Sequence, residues 1–325
     1  MASAPRLVAV LLLAGLGLLP LLAEWLNEPF WVTLFTRVLI FALAASGLNL
    51  VLGFGAMVSF GHAMYIGIGA YAVGVLSFHG VDNGWWQLVA ALGVGGVVAL
   101  VVGAICLRTS GMAFIMITLA FAQMLFFLAV SLRDYGGDDG LRLNGRSHFG
   151  SLDLENSVAL YYLAYALLLA VLGLFARLVQ SRFGMVLRGC RSNARRMASL
   201  GFATFRYRLS AYVISALVCV LAGMLLANLA RFISPSYMAW TVSGELIVMT
   251  VLGGLGTLIG PVVGAAGLLL LEEALSSLKL GLPWFDALIN QHWLALIGLF
   301  IVLVVLVLKQ GLYGWLVARE AQRSA

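Results

Sequence analysis

The chain has 325 residues, of which 63% are hydrophobic and only 10% charged, with 19 basic against 13 acidic side chains and a net charge of +6. A soluble domain carries about a quarter charged residues, so this composition excludes one and puts most of the chain in lipid. The apolar runs are continuous and lack period-2 alternation, which excludes a β-barrel and leaves an all-α integral membrane protein, a polytopic helical bundle.

Taken in chain order, windows of membrane length predict about ten segments, at 7–23, 31–53, 57–78, 85–107, 112–132, 158–179, 209–230, 245–259, 261–278 and 293–308. Arg6 precedes the first of them, as it would in a signal peptide, but Leu21-Leu22-Ala23-Glu24 is a poor cleavage site and a retained helix is expected. Between the sixth and seventh windows lies a basic stretch, 180–208. Eight arginines run from Arg177 to Arg208 with no acidic residue among them, and positive charge of this density stays in the cytoplasm during insertion.

Alternating outward from that loop places Arg6, Arg108, Lys309, Arg319 and Arg323 on the same side, 13 of the 19 basic residues in all. The segment 132–157 becomes an outer loop. Every acidic residue except Glu320 then falls outside or near an outer helix end, and seven of the eight tryptophans (Trp25, Trp31, Trp85, Trp86, Trp240, Trp284, Trp293) fall at outer boundaries. Charge and aromatic residues agree on an N-in, C-in topology. The basic surplus belongs to topology and to a partner surface, not to nucleic acid.

The 37 glycines concentrate in two stretches, Gly53-Phe54-Gly55 through Gly61, Gly67, Gly69 and Gly74, and Gly253-Gly254-Leu255-Gly256 through Gly260, Gly264 and Gly267. Small residues let membrane helices approach closely, and plain packing accounts for part of this pattern. Four glycines with Pro261 over 253–261 also suit a broken or re-entrant helix, as the 57–78 and 245–278 windows allow; two such stretches hint at internal duplication.

Polar residues inside the windows are few. Asn49, Ser59, His62, Thr118, Gln123, Asn228 and Thr250 stand well inside, with Glu245, Glu272 and Glu273 nearer outer ends. Exposing an ionisable group to lipid costs at least ~2.5 kcal/mol, so each is a candidate for a pathway or for an interhelical hydrogen bond, and for His62 the hydrogen bond is the commoner case. Glu272 and Glu273 project about 100° apart on a helix and do not form a paired carboxylate site. Cys106, Cys190 and Cys219 have no metal-ligand spacing.

Several of these runs carry a resemblance. Gly47-Leu48-Asn49-Leu50-Val51-Leu52-Gly53, Ser59-Phe60-Gly61-His62 and Gly69-Ala70-Tyr71 resemble the N-terminal half of the permease subunits of branched-chain amino acid ABC transporters, of the larger M type. The resemblance continues through Tyr135-Gly136-Gly137-Asp138-Asp139-Gly140-Leu141, an outer loop; through Arg182-Phe183-Gly184 with Arg188, Arg191, Asn193, Leu200 and Gly201, a cytoplasmic coupling segment; and through Val251 to Thr257 with Gly260-Pro261. It departs at Ser192–Ser199, where relatives carry acidic residues and this chain carries none, which bears on charge complementarity with an ATPase.

The resemblance implies a single permease domain over 1–325 in a bacterial plasma (inner) membrane. It also implies a second permease subunit, cytoplasmic ATP-binding subunits and an outer solute-binding protein as partners. The chain has no Gly-x-x-x-x-Gly-Lys-[Ser/Thr] phosphate loop, so ATP is expected on a partner and no cofactor on this chain. Asn49, Ser59, His62, Gly253, Gly254 and Gly256 are the candidate translocation residues; Arg188, Arg191, Asn193, Met197, Leu200 and Gly201 are the candidate coupling residues. Met197 and Leu200, three apart, would share one helical face. Branched-chain amino acids are the first expectation for cargo, urea or short amides the second. An ion-coupled carrier using Glu272, Glu273 or His62 is the alternative of another class, and no nucleophile–base spacing suggests an enzyme.

Overall fold

A computed structural model describes residues 4–25, 28–143, 145–150, 154–277, 295–303, 306, 311–315 and 319. Trp284, Trp293, Lys309, Arg323 and parts of the tenth window lie outside the described residues, as do Asp153, Asp286 and Glu320. Most of the described residues are helical: α1 (Ala4–Trp25), α2 (Pro29–Asn49), α3 (His62–Phe78), α4 (Gly84–Cys106), α5 (Met112–Ser131), α6 (Ser157–Gln180), α7 (Arg182–Ser199), α8 (Thr204–Ala230), α9 (Trp240–Gly253) and α10 (Gly260–Ser277). Residues 295–303 are helical as well. Six helices among the described residues are long and apolar enough to cross a membrane, and His62–Phe78 and Trp240–Gly253 are shorter apolar ones. This is a multi-pass membrane architecture.

Helix α2 is apolar apart from Arg37 and a few small polar residues and sits in the centre, packed on α6, α8, α9 and α10. Pro29 starts it, where a missing N–H costs nothing. Asn83 and Asn156 cap α4 and α6 by accepting hydrogen bonds from the Trp85 and Val158 backbone N–H groups. By contrast α1, α4 and α5 leave broad apolar faces exposed, including Val94, Val97, Met124 and Phe127. In a bilayer those faces meet lipid or another subunit. The α1 backbone is held to α6 by the Tyr161 and Tyr165 hydroxyls, which donate to the Leu16 and Leu13 carbonyls.

Helix α3 crosses α8 closely. A Cβ at Gly69 would strike the Val220 carbonyl, and one at Gly223 would strike that of Ile66, so both backbones touch where only glycine fits.

Loops collect at the two ends of α8. At one end, strands β1 (Leu141–Arg142) and β2 (Phe232–Ile233) pair antiparallel, with Leu141 opposite Ile233, and the 79–83 turn joins them through His148. The Arg146 side chain, buried there, donates to the carbonyls of Asn228, Leu154 and Glu155, while the Ser147 hydroxyl donates to Gln87. At the other end stand α7, residues 55–61 and the 254–259 turn.

Both glycine-rich stretches interrupt helices. Helix α2 runs into a π-helical turn, Leu50–Phe54, and the chain is then irregular over 55–61 before α3 begins. Helix α9, with 14 residues, is only ~21 Å long, too short for a ~30 Å core, and stops at Gly253; α10 restarts at Gly260.

Candidate functional site

The two breaks meet. Asn49, in the last turn of α2, donates from Nδ2 to the Thr257 carbonyl at 2.7 Å and accepts at Oδ1 from the Gly256 N–H at 3.0 Å. One amide side chain thereby binds both backbone polarities of a turn 208 residues away. Gly256 adopts φ +75, which a side chain would strain, and Gly254 lies against Gly311 of the C-terminal stretch. Thr257 closes the turn, its hydroxyl donating to the Gly254 carbonyl at 2.8 Å and accepting from the Gly260 N–H at 3.1 Å. Gly253 abuts the Gly260 backbone so closely that a Cβ would collide with its carbonyl.

Helix α7 reaches this junction directly. It is amphipathic, burying Val186, Leu187 and Cys190 against its neighbours α6 and α8 and exposing Arg182, Arg188, Arg191, Arg195 and Arg196. The Arg191 guanidinium donates to the Gly53 carbonyl, and its nitrogen would lie 3.4 Å from a Cβ on Gly256. A charged side chain on the surface helix therefore holds the end of α2 at the point where the α9–α10 turn is also tied. Arg188 instead fastens α7 to the end of α6 through the Val179 carbonyl at 3.2 Å, and also donates to the Gly184 carbonyl one turn back in its own helix at 3.4 Å.

Beyond Arg191 the helix breaks. Asn193 has φ −160 and ψ 100, and its side chain accepts the Arg196 N–H at 3.0 Å, capping a second short segment. That break precedes both Met197 and Leu200, which follow it on the segment that Asn193 caps. Met197 lies on Gly189, half-buried, whereas Leu200 ends the helix 66% exposed, followed by Gly201 at φ +85.

Ser59 and His62 belong to a second cluster, fully buried between α3 and α8. His62 Nδ1 lies 3.0 Å from the Ser59 hydroxyl and Nε2 lies 2.9 Å from the Ser215 hydroxyl. Ser215 spends its proton on the Gly47 carbonyl at 2.6 Å, so it accepts from His62, which is assigned as the Nε2–H tautomer with Ser59 donating to Nδ1. Tyr65 donates to Tyr212 at 3.1 Å beside it, and both rings stand edge-on to the imidazole. Thr118 of α5 anchors the irregular 55–61 stretch by accepting the Phe60 N–H at 3.2 Å. Ser215, Tyr65 and Tyr212 were not legible as partners of His62, because their helix registers relative to α3 are set by packing.

A third feature lies at the opposite end of α2. An open cavity of about 660 Å³ is bounded by α2, α3, α8, α9 and α10, and Arg37, Glu245 and Glu273 line it with Phe30, Leu34 and Val242. None of the candidate translocation residues does. Arg37 escaped the sequence reading although its signal was plain: an arginine well inside an apolar window.

The family described as "Branched-chain amino acid transport system / permease component" matches residues 30–308. The chain belongs to the branched-chain amino acid permease family. It is similar to the high-affinity branched-chain amino acid transport system permease protein LivM of Escherichia coli, 27% identical over 91% of this chain and 73% of that protein. The LivM of Salmonella typhimurium stands at 26% over the same shares. The E. coli permease protein LivH is 29% identical over 84% of this chain and 91% of its own length. The matched region contains both glycine-rich breaks, α7 and the Arg37 cavity.

Proposed function

We propose that this permease is one membrane subunit of an ATP-driven importer of branched-chain amino acids in a bacterial plasma membrane. It works with a second permease subunit, cytoplasmic ATP-binding subunits and an outer solute-binding protein, and both of its termini are cytoplasmic, with about ten membrane segments. Segment 180–208 is the coupling loop and 132–157 the outer loop. The observation that carries the reading is the Arg191–Gly53 contact, which joins a basic surface helix to the junction of two broken membrane helices.

An ATPase that grips α7 through Leu200 and the arginines moves Arg191, and with it the end of α2 and the Gly254–Gly256 turn that Asn49 holds. Glycine-rich breaks repack more easily than continuous helices, so a cytoplasmic pull becomes a rearrangement of the bundle. His62 and Ser59 sit in the next layer and hold α3 to α8 while this happens.

Two measurements test it. Labelled leucine uptake into cells should persist when a protonophore collapses the ion gradient with ATP maintained, and stop when ATP is depleted; the reverse pattern would make the protein an ion-driven carrier. An impermeant thiol reagent applied from outside should label Asp139→Cys and miss Ser192→Cys, both exposed positions against a background of buried Cys106, Cys190 and Cys219. Labelling of Ser192→Cys from outside would reverse the topology.

A further inference from the structure

The cavity at the other end of α2 has a chemistry of its own. Phe30, Leu34, Arg37 and Phe41 recur at helical spacing, so one stripe of α2 forms its wall. Val242 and Glu245 face it from α9, Glu273 from α10, and Ile66 and Leu226 from α3 and α8. Its volume, about 660 Å³, falls in the range of small-ligand pockets, roughly 300–1,000 Å³.

Arg37 stands eight residues past Pro29, about 12 Å along the helix, at a depth where a lipid-facing guanidinium would be costly. It is exposed into the groove, and so is Glu245. Arg37 interacts through space with Glu245 and Glu272, yet the ion pair described in this chain is Arg231–Glu155, and Arg37 has no ion-pair partner among the described residues. Its guanidinium lies 5.7 Å from the centre of the Phe41 ring instead. Opposite charges that share a groove without closing on one another leave room for a ligand bearing both signs.

We propose that this groove is a binding site for a free zwitterionic amino acid with an aliphatic side chain. Its carboxylate meets Arg37, its ammonium lies between Glu245 and Glu273, and its side chain rests on Phe30, Leu34, Ile66 and Val242. A guanidinium presents paired donors matched to a carboxylate, and two acids supply an ammonium with acceptors. Phe30, Leu34, Ile66, Leu226 and Val242 give an aliphatic side chain an apolar bed, while Thr33, Ser236, Tyr237 and Thr241 add hydroxyls elsewhere on the wall. The inference rests on the reading of the chain as an amino acid permease and assigns that cargo a place.

The test is photolabelling of the full chain in lipid nanodiscs with photo-leucine, the diazirine analogue of leucine, followed by peptide mapping. Adducts are expected on the α2 stripe and on α8–α9 near Val242. Excess leucine should remove them, whereas isovalerate and isoamylamine, each lacking one charge, should compete at least about tenfold more weakly, as the loss of one charge-assisted hydrogen bond implies. Arg37→Gln and Glu245→Gln should each lower labelling by a similar factor, with Arg37→Lys retaining part of it and all three eluting as folded protein on size exclusion.

Labelling elsewhere, equal competition by the uncharged-end analogues, or indifference to Arg37→Gln would overturn the site. So would a disulfide from Arg37→Cys to a second permease subunit with photolabelling unchanged, since the groove would then be a subunit seam. Leucine uptake, measured separately in cells, decides whether the chain carries amino acids at all, so failure of the groove and failure of the transport reading are told apart.

Discussion

The His62 cluster and the Arg37 groove are both polar regions within an apolar bundle, and they solve the problem of polarity in opposite ways. Around His62 each hydrogen bond is directional and complete, running from Ser59 through the imidazole to Ser215 and the Gly47 carbonyl, and water has no access. Around Arg37 the charges are exposed, unequal in number and unpaired at contact distance. A satisfied buried network holds helices in register; an unsatisfied, open one is where a solute can supply what is missing.

The largest expected effect removes the frame around the first region. Gly223→Val puts a branched side chain into the Ile66 carbonyl and forces α3 from α8, breaking the His62–Ser215 contact with it. No folded, monodisperse protein is expected on size exclusion in detergent. A well-behaved Gly223→Val protein would mean that the α3–α8 crossing is loose.

Ser215→Ala is the sharper cut, since it leaves the His62 Nε2–H buried without an acceptor and frees the Gly47 carbonyl. The expected cost is about 1–3 kcal/mol, read as a lower melting temperature, with photo-leucine labelling retained. Arg37→Gln should do the reverse: labelling falls and the melting temperature stays or rises. If both variants changed both readouts alike, the division between a structural network and a ligand groove would be lost.

Arg191→Ala tests the link between the surface helix and the breaks. The side chain is exposed and its loss leaves α7 anchored by Arg188 and by Val186 and Leu187, so assembly should survive. Transport should fall by about an order of magnitude, as for the loss of a coupling energy of 1–3 kcal/mol, while ATP hydrolysis continues uncoupled. Leu200→Ser, at the exposed tip, should instead weaken association with the ATP-binding subunits. Normal transport by Arg191→Ala would remove the coupling route.

These outcomes also mark what the sequence could and could not reveal. Apolar windows located α2, α4, α5, α6 and α8 closely, because a membrane span imposes length and composition directly on the chain. The breaks were legible from glycine density, and their position at 55–61 and 254–259 follows from it. Their meeting was not, because nothing local in Asn49 points to Thr257, and only the packing of α2 on α9 and α10 brings them together. Nothing in the basic stretch marked Asn193 as a cap, so the kink that sets Met197 and Leu200 on a new short segment was not legible. Arg37 was overlooked because windows are drawn on average hydropathy, which a single charge barely lowers.

The smallest effect concerns the end of the bundle where β1 and β2 pair, and it carries a pH dependence. Glu155 is held below the usual carboxylate range chiefly by the hydrogen bond it accepts from the Arg146 backbone N–H, which outweighs the cost of desolvation, with the charges of Arg231 and Arg146 adding to it. A carboxyl whose pKa is lower folded than unfolded contributes stability that is fully present above its unfolded value and disappears as pH falls through the folded one. The 145–150 loop should therefore keep its order at pH 5 and loosen only in acid below the ordinary carboxylate range, seen as faster amide exchange at Arg146 and Ser147. Because the carboxylate is exposed, screening by salt should shrink the effect. Glu155→Gln should abolish the pH dependence while the β1–β2 pairing and the Arg146 side-chain bonds to the Asn228 and Leu154 carbonyls persist. Loosening at neutral pH in that variant would mean that Glu155, rather than the buried guanidinium, organises the 145–150 loop.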